Sequence, residues 1–316
     1  MMKTAYPQLE KKRQDIAQVV LAEEKRFQKT LQRAMQLAEE IIAQLNAFLV
    51  TPMERKQLIE DPFSNLNAKT HSAYRGAAEG EVPLPGTPGP LNAITDVPGI
   101  EVGAAELLSS RDPSLATRGI QVQTGVTAIL PRGRDAEPKP VWAGQFSLNG
   151  NGEMTGAHWV RDGGWLAGPI LISNSHAIGP CHTAAVRWMI ETYGATWEAN
   201  HLWAMPVVAE TYDGVLNDIN GLHVTEALAR QAIDAAAPGP VREGNSGGGA
   251  GMICYEFKGG TGTSSRRLDI DGAGFTVGAL VQANHGMRPW LTVAGHRIGP
   301  EMPEDRIPDM ITERGA

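Results

Sequence analysis

From Leu91 onward, short β-prone runs alternate with glycine-rich turns, and this alternation is the strongest constraint on the fold. The clearest runs are VTAIL (Val126–Leu130), PILISN (Pro169–Asn174), WAMPVVAE (Trp203–Glu210) and FTVGALVQ (Phe275–Gln282). Helical patterns lie between them at His182–Tyr193 and at Thr225–Ala236, where Thr225 is placed as an N-cap. Strands with interspersed helices indicate an α/β arrangement, although the order of the strands does not follow from the pattern.

Residues 1–50 have a different texture and predict a long N-terminal helix. No glycine or proline occurs from Gln8 to Leu49. Apolar residues recur there at helical spacing, at Ile16, Val20, Phe27, Leu31, Ala34, Ala38, Ile41 and Leu45. This spacing places them on one face of a helix. We therefore expect a helical extension at residues 1–50 with a structural or oligomerising role.

Residues 51–88 are interpreted as a linker between this extension and a globular domain. The stretch GAAEGEVPLPGTPGP is rich in proline and glycine, and four prolines lie between Pro83 and Pro90. A helix cannot continue through such a stretch, because each proline removes a backbone donor. The domain is therefore expected to occupy residues 89–316.

Charge and composition exclude several classes of protein. The formal net charge of -7 argues against a nucleic-acid partner, which normally meets a basic face. No run approaches 18 uninterrupted apolar residues and no secretory signal follows Met1, so we expect no membrane partner. The two cysteines, Cys181 and Cys254, are too few for a disulfide framework and are expected to be reduced thiols in a cytoplasmic protein.

The glycine-rich segment Glu243–Arg266 is interpreted as structural. A phosphate-binding loop needs G-x-x-x-x-G-K-[ST] at a helix start, whereas Lys258 here precedes Gly259 and Gly260. Glycine turns that flank a strand MICYEF, and that allow close backbone approach, fit the segment better.

A metal centre and a conventional catalytic triad are also disfavoured. The histidine-rich stretch NSHAIGPCHTAA contains His176, Cys181 and His182, but their spacing does not place two ligands on one face of a regular element. No G-x-S-x-G motif occurs in the chain. We expect no cofactor and no metal, and any hydrolytic nucleophile must be activated in another way.

A series of segments resembles one known family. The segments are LNAITDVPGIEVG (Leu91–Gly103), TGVTAILPRG (Thr124–Gly133), SLNGNGEMTG (Ser147–Gly156), GPILISNSHAIG (Gly168–Gly179), PVVAETYDGVLNDING (Pro206–Gly221), GNSGGGAGMICYEFKGGTGTSSR (244–266) and FTVGALVQANHG (Phe275–Gly286). In this order they resemble the L-aminopeptidase/D-esterase family, which includes the β-peptidyl aminopeptidases. The resemblance implies an αββα sandwich of the N-terminal-nucleophile type. It also implies a precursor that cleaves itself before a serine or threonine, whose free α-amino group then acts as base.

Three site residues follow from this resemblance. Asn284, in LVQANHG, matches the asparagine whose amide stabilises the oxyanion, and Tyr212 matches a tyrosine beside the reacting centre. Glu210, in VAETYDG, matches an acid that binds the free amino group of the substrate. Each has a structural alternative: Asn284 as a turn cap, Tyr212 as a packing residue and Glu210 as a solvated acid at a strand end.

The family pattern continues beyond Ala316 into a small subunit that begins with the nucleophilic serine. We therefore expect the chain to be the large subunit of a serine aminopeptidase that is inactive without this partner. The other expected partners are a short peptide or aminoacyl amide substrate and further copies of the enzyme in a homo-oligomer. The alternative is a non-catalytic interaction protein, or a truncated inactive fusion, that associates through its N-terminal helix.

Residues 6–43 carry a second resemblance. The stretch YPQLEKKRQDIAQVVLAEEKRFQKTLQRAMQLAEEIIA is similar to a helical segment of alanyl-tRNA synthetases. None of that family's catalytic motifs accompanies it, so the resemblance implies no synthetase activity. The acidic charge balance also argues against tRNA binding.

Overall fold

A computed structural model describes residues 86–115, 121–293, 295–303 and 306–307. The predictions for the extension at residues 1–50, for most of the linker and for the synthetase-like stretch at residues 6–43 lie outside these residues. The domain predicted from residue 89 onward is the part that can be described.

The described residues contain three α-helices and twelve short or medium strands. The helices are α1 (Ala157–Gly163), α2 (Ile178–Asn200) and α3 (Glu226–Asp234). The strands are β1 (Glu101–Leu108), β2 (Gln123–Leu130), β3 (Val141–Trp142), β4 (Trp165–Leu166), β5 (Ile170–Asn174), β6 (Val207–Thr211), β7 (Ile253–Cys254), β8 (Phe257–Lys258), β9 (Thr261–Ile270), β10 (Ala273–Gln282), β11 (Thr292–Val293) and β12 (His296–Arg297). Of the helices in this part of the chain, none has both the length and the apolar character that a bilayer span requires.

Four strands form the central sheet in the order β1-β2-β5-β6. β1 and β5 both pair antiparallel with β2, whereas β5 and β6 run parallel. The register sets Thr127 opposite Ile172 and Asn174 opposite Thr211. The amino end of β2 and the carboxyl ends of β5 and β6 therefore meet at one end of the sheet.

One face of this sheet is covered by α2 and α3. Val126, Ala128 and Leu130 alternate along β2 and are almost fully buried in the same apolar cluster as Ile233 of α3. Such alternation is what a strand shows when it presents every second side chain to a core. The burial of this face against the two helices supplies most of the apolar contact of the domain.

The opposite face lies against a tight glycine turn, Gly247–Gly251, which is followed in space by the hairpin of β9 and β10. The amide of Gly248 donates to Thr127 Oγ1 at 3.1 Å. A Cβ atom on Gly125 would lie 2.4 Å from the carbonyl oxygen of Gly247, which no real side chain tolerates. The close backbone approach predicted for this segment is confirmed.

Most predicted elements are confirmed, with shifted limits. The runs predicted as strands lie in or overlap β2, β5, β6 and β10. The strand predicted from Trp203 begins only at Val207, because Pro206 has no amide hydrogen to donate. Thr225 caps α3 as predicted, since its side chain accepts the amide of Leu228 at 3.2 Å.

The prediction of one continuous strand over MICYEF is wrong. The segment forms two two-residue strands, β7 and β8, which pair with each other as a hairpin. Tyr255 and Glu256 make the turn with φ of 51° and 59°. Neither is a residue that favours left-handed φ, so no local turn signal marks the position.

Candidate active site

The three residues predicted from the resemblance come together at the end of the sheet where β5 and β6 finish. Glu210 belongs to β6, and Tyr212 follows its last residue. Asn284 lies two residues after the end of β10, on the other side of the glycine turn. The backbone N–H of Tyr212 donates to Asn284 Oδ1 at 3.2 Å, which joins the two segments.

The side-chain amide of Asn284 has a defined orientation. Its oxygen accepts the Tyr212 amide, and its Nδ2 donates to the carbonyl oxygen of Ile253 at 3.2 Å. The two neighbours are a donor and an acceptor, so exchanging oxygen and nitrogen would break both bonds. An NH₂ group carries two hydrogens, and Ile253 takes one of them. The other can donate to an oxyanion.

Glu210 is a half-buried acid whose hydrogen bonds come from neutral groups. The hydroxyl of Ser175 donates to Oε2 in a short contact, and the backbone N–H of Glu153 donates to Oε1 at 3.1 Å. Within the described part of the chain, no Lys, Arg or His forms an ion pair with Glu210. A carboxylate without a protein cation beside it is suited to receive a cationic ligand.

Tyr212 presents its ring to solvent rather than to the core. The side chain is 43% exposed. Its hydroxyl lies above the backbone of Gly214, where an added Cβ atom would come within 2.4 Å of the oxygen. The hydroxyl end of the ring therefore packs against Gly214 while much of the side chain is exposed, which is compatible with both the packing alternative and a role in the site.

Asp213 is a part of this site that the sequence analysis missed. It is 1% exposed and lies directly after Tyr212. Its carboxylate accepts hydrogen bonds from Thr124 Oγ1 at 2.6 Å, Asn217 Nδ2 at 3.0 Å and Asn174 Nδ2 at 3.2 Å. In the sequence, Asp-Gly is an ordinary turn signal, so nothing local distinguished this buried acid.

The pKa of Asp213 is raised from its ordinary value. Burial is the largest cause, because it removes water from the charged form. The hydrogen bonds from Thr124, Asn217 and Asn174 oppose the rise, since they stabilise the carboxylate. The acid is thus held by neutral donors in a site that disfavours its charge.

Lys258 is a second ionisable group near this end of the sheet, half-buried, and the sequence analysis gave it only a structural role in the glycine-rich segment. Its Nζ donates to the carbonyl oxygens of Gly259 at 2.8 Å and Gly249 at 3.3 Å. Burial lowers the pKa of Lys258 to about 7. In the β7–β8 hairpin it pairs with Ile253, whose carbonyl oxygen accepts from Asn284.

The histidine-rich stretch does not assemble a metal site. In the ranges that the structure describes, no group of three or more His, Cys, Asp or Glu side chains is arranged to hold an ion. Cys181 is a residue of α2 and is fully buried in the core, where burial raises its thiol pKa to about 12. His176 instead approaches the carbonyl oxygen of Ile219 at 3.3 Å.

Comparison with known proteins identifies the family. Residues 92–314 match the model of Peptidase family S58. The chain belongs to this family. It is 50% identical over 228 residues to the β-peptidyl aminopeptidase BapA of Sphingosinicella microcystinivorans, a match that covers 72% of this chain and 56% of that protein. The family predicted from the sequence is therefore confirmed.

Solved structures of relatives show the same fold. The L-aminopeptidase D-Ala-esterase/amidase of Ochrobactrum anthropi, described as a new variant among the N-terminal-nucleophile hydrolase fold, matches with a TM-score of 0.68 and 53% identity, over 72% of this chain and 62% of that one. A β-aminopeptidase of Burkholderia sp. matches with a TM-score of 0.62 and 49% identity, over 69% of this chain and 59% of that one. The predicted fold class is confirmed. The chain spans about half the length of the curated relatives it matches.

Proposed function

We propose that this S58 chain is the large-subunit part of a self-cleaving serine aminopeptidase, which releases N-terminal residues from short peptides, aminoacyl amides or esters. The observation that carries the proposal is the hydrogen bond from Tyr212 N to Asn284 Oδ1. This bond joins Asn284 to the segment that directly follows Glu210 and β6. The proposed substrates follow from assigning Glu210 to the substrate's amino group and Asn284 to the oxyanion.

In this proposal Asn284 stabilises the transition state. The free hydrogen of its Nδ2 group donates to the oxygen of the tetrahedral intermediate as negative charge develops there. The donor is held in place before the reaction by Tyr212 N and Ile253 O, so little reorganisation is needed. Such preorganised donors are worth about 3–4 kcal/mol in other hydrolases.

Glu210 selects substrates with a free amino terminus. An ammonium group placed against its carboxylate would form a charge-assisted hydrogen bond. Ser175 and the Glu153 amide already fix the orientation of the carboxylate. The exposed phenol of Tyr212 is placed to position the scissile bond between the acid and Asn284, as a hydrogen-bond donor.

The nucleophile is supplied by a small subunit in the same proposal. Self-cleavage would expose a serine whose own α-amino group, with a pKa of about 8, accepts the hydroxyl proton. This chemistry requires no histidine base and no metal. The proposed location is the cytoplasm.

The proposed enzyme is a homo-oligomer of paired subunits. Several large apolar side chains of the described residues are exposed, among them Trp142 at 86%, Phe146 at 79% and Leu148 at 87%. Apolar side chains grouped along one segment in this way are typical of interaction surfaces. Sedimentation of the purified enzyme tests this point, and a monomer would contradict it.

Intact mass and activity of the protein produced from its own gene test the proposal. We expect a large chain together with a small chain that begins with serine, and hydrolysis of an aminoacyl p-nitroanilide. A single species of 33.9 kDa without activity would overturn the proposal. That outcome would favour the non-catalytic alternative.

The Asn284→Ala variant tests the oxyanion role within the active enzyme. The turnover number kcat should fall by roughly 10²- to 10³-fold, because one preorganised donor is lost. Glu210→Gln should instead act mainly on KM for substrates with a free amino group. Unchanged kcat in Asn284→Ala would remove this residue from the proposed site.

A further inference from the structure

We infer that Asp213 is a positioning residue of this site: its buried carboxylate holds the end of β6 so that the Tyr212 amide keeps Asn284 in its catalytic orientation. The kinetic part of this inference rests on the proposed function. The structural part, the coupling between Asp213 and the Tyr212 amide, does not.

Asp213 ties together three separate pieces of the chain. Thr124 comes from the amino end of β2, Asn174 from the carboxyl end of β5 and Asn217 from the loop after β6. The sequence separations to Thr124 and Asn174 are 89 and 39 residues. One carboxylate thus joins the ends of two sheet strands to the loop that follows a third.

The surrounding hydrogen bonds extend the same network into the backbone. Asn217 Oδ1 accepts the amide of Gln123 at 3.0 Å, and Asn174 Oδ1 accepts the amide of His176 at 3.0 Å. Asn174 Nδ2 also donates to Thr124 Oγ1 at 3.0 Å. Each partner of Asp213 is therefore itself fixed by a further bond, and the network has little freedom to rearrange.

The glycine turn leaves Asp213 no room to shift. A Cβ atom on Gly251 would lie 2.7 Å from the Cβ of Asp213 and 2.3 Å from the carbonyl oxygen of Gln123. Backbone therefore packs directly against the acid on this side. Contacts of this kind transmit displacement, because close-packed groups move together.

Tyr212 directly precedes Asp213. The acceptor of its backbone N–H, Asn284 Oδ1, belongs to a distant segment of the chain. The strand β6 ends at Thr211, so the sheet no longer fixes the backbone at Tyr212. Thr211 Oγ1 accepts from Gln282 at 2.5 Å, which holds the preceding residue to the end of β10. With Gln282 on one side and Asp213 on the other, the Tyr212 amide is clamped at Asn284 Oδ1.

The three side-chain donors to Asp213 are all neutral, which suits a positioning role. Any ion partner would have to be desolvated with the acid, whereas hydroxyl and amide donors have fixed directions and hold one geometry. The half-buried Glu210, three residues earlier, differs in having no protein cation paired with it among the described residues.

The test uses a matched pair of variants at Thr124 in the complete enzyme. Thr124→Val keeps the shape of the side chain but removes the hydroxyl donor, whereas Thr124→Ser keeps the donor. We expect Thr124→Val to lower kcat by roughly ten- to a hundred-fold with KM within about two-fold, because the oxyanion donor is displaced rather than removed. Thr124→Ser should restore kcat to within about two-fold of the parent.

Ser109→Ala separates positioning from ordinary destabilisation. Ser109 is also a buried hydroxyl at this end of the sheet, where it accepts from Val122 N at 2.9 Å and donates to Val122 O at 3.0 Å. Loss of the Ser109 hydroxyl should lower the melting temperature but leave kcat per folded enzyme unchanged.

Asp213→Asn is the second variant that removes part of the network. It should lower kcat to a similar extent as Thr124→Val.

Hydrogen exchange at the peptide containing Tyr212 gives a readout that needs no activity. Thr124→Val should speed exchange there by at least about ten-fold, while Thr124→Ser and Ser109→Ala should not. Faster exchange with unchanged kcat, or no difference between Thr124→Val and Ser109→Ala, would overturn the inference. If the parent enzyme has no aminopeptidase activity, the proposed function fails, and exchange alone decides whether Asp213 holds the Tyr212 amide.

Discussion

The two faces of the central sheet are built from different kinds of contact. The face under α2 and α3 is covered by apolar side chains such as Leu171, Val208 and Ile233, each fully buried. The other face meets the backbone of the glycine turn, and its contacts are hydrogen bonds and close backbone approaches. The candidate site lies at the end of this second face. The difference suggests that one face stabilises the domain and the other fixes its geometry.

β2 shows both designs within eight residues. All of its residues are buried, so burial by itself does not distinguish the two faces. Ala128 belongs to the apolar cluster, whereas its neighbour Thr127 accepts the amide of Gly248. A substitution on one side should therefore change stability alone, and one on the other should change stability and activity together.

The largest loss of stability is expected from Leu171→Ala on the helix-covered face. Deleting this fully buried side chain should lower the free energy of unfolding by about 2–5 kcal/mol, since apolar burial is lost and a cavity remains. Denaturant unfolding measures the loss. The activity per folded enzyme should stay unchanged, and a comparable fall in kcat would contradict the division between the faces. Ile190→Ala, at a side chain 52% exposed on α2, is the control and should cost little.

A smaller loss, with an effect on activity, is expected from Gly125→Ala on the glycine face. The new Cβ atom would meet the carbonyl oxygens of Ala105 and Gly247, each at 2.4 Å. Overpacking of this kind costs about 1–3 kcal/mol, and it should displace the turn that lies between the sheet and the β9–β10 hairpin. The free energy of unfolding and kcat should therefore both fall. In Gly150→Ala the added atom meets nothing within 4 Å, so neither should change.

The smallest effect is expected from Glu106→Gln and depends on pH. Burial raises the pKa of Glu106, but the hydrogen bonds and charge of Arg242, with further bonds from Gly247 N and Arg111, bring it below its ordinary value. Since the folded pKa is lowered, this stabilisation is present above the unfolded pKa of about 4.3 and is lost as pH falls through the folded pKa. The variant should be less stable than the parent by about 1 kcal/mol at pH 7.

Denaturation of Glu106→Gln and its parent at several pH values measures this effect. The difference in free energy of unfolding between the parent and the variant should shrink as the pH falls below about 4, where Glu106 of the parent becomes protonated. A difference that is constant with pH would show that the Arg242 pair does not stabilise the fold. Asp135→Asn, which removes an exposed ion pair with Lys139, is the control and should change stability little.

Some of the longer elements of the fold were predictable from the sequence. Period-two and period-3.6 patterns depend only on neighbouring residues, so β5, β10 and α3 were found near their observed limits. The prediction failed at MICYEF, where Tyr255 and Glu256 take left-handed φ. There the hairpin is stabilised by distant contacts, such as the amide of Tyr255 with the carbonyl oxygen of His285.

The candidate site was predictable only in part. Glu210, Tyr212 and Asn284 were proposed because their segments resemble a family, and the structure places them at one end of the sheet. Their catalytic and binding roles remain predictions. Asp213 was not proposed, because a buried acid and a turn acid look alike in the sequence Tyr-Asp-Gly.

The sequence by itself determined the family, the α/β class and the position of four of the twelve described strands and two of the three described helices, because motifs and periodicity are local along the chain. Only the tertiary structure decided which polar groups meet. Tyr212 and Asn284 are 72 residues apart, and Thr124 and Asp213 are 89 residues apart. Such pairs form when the sheet sets its strand order and register, and no pattern of neighbouring residues encodes that choice. The geometry of the candidate site is for this reason a property of the folded sheet.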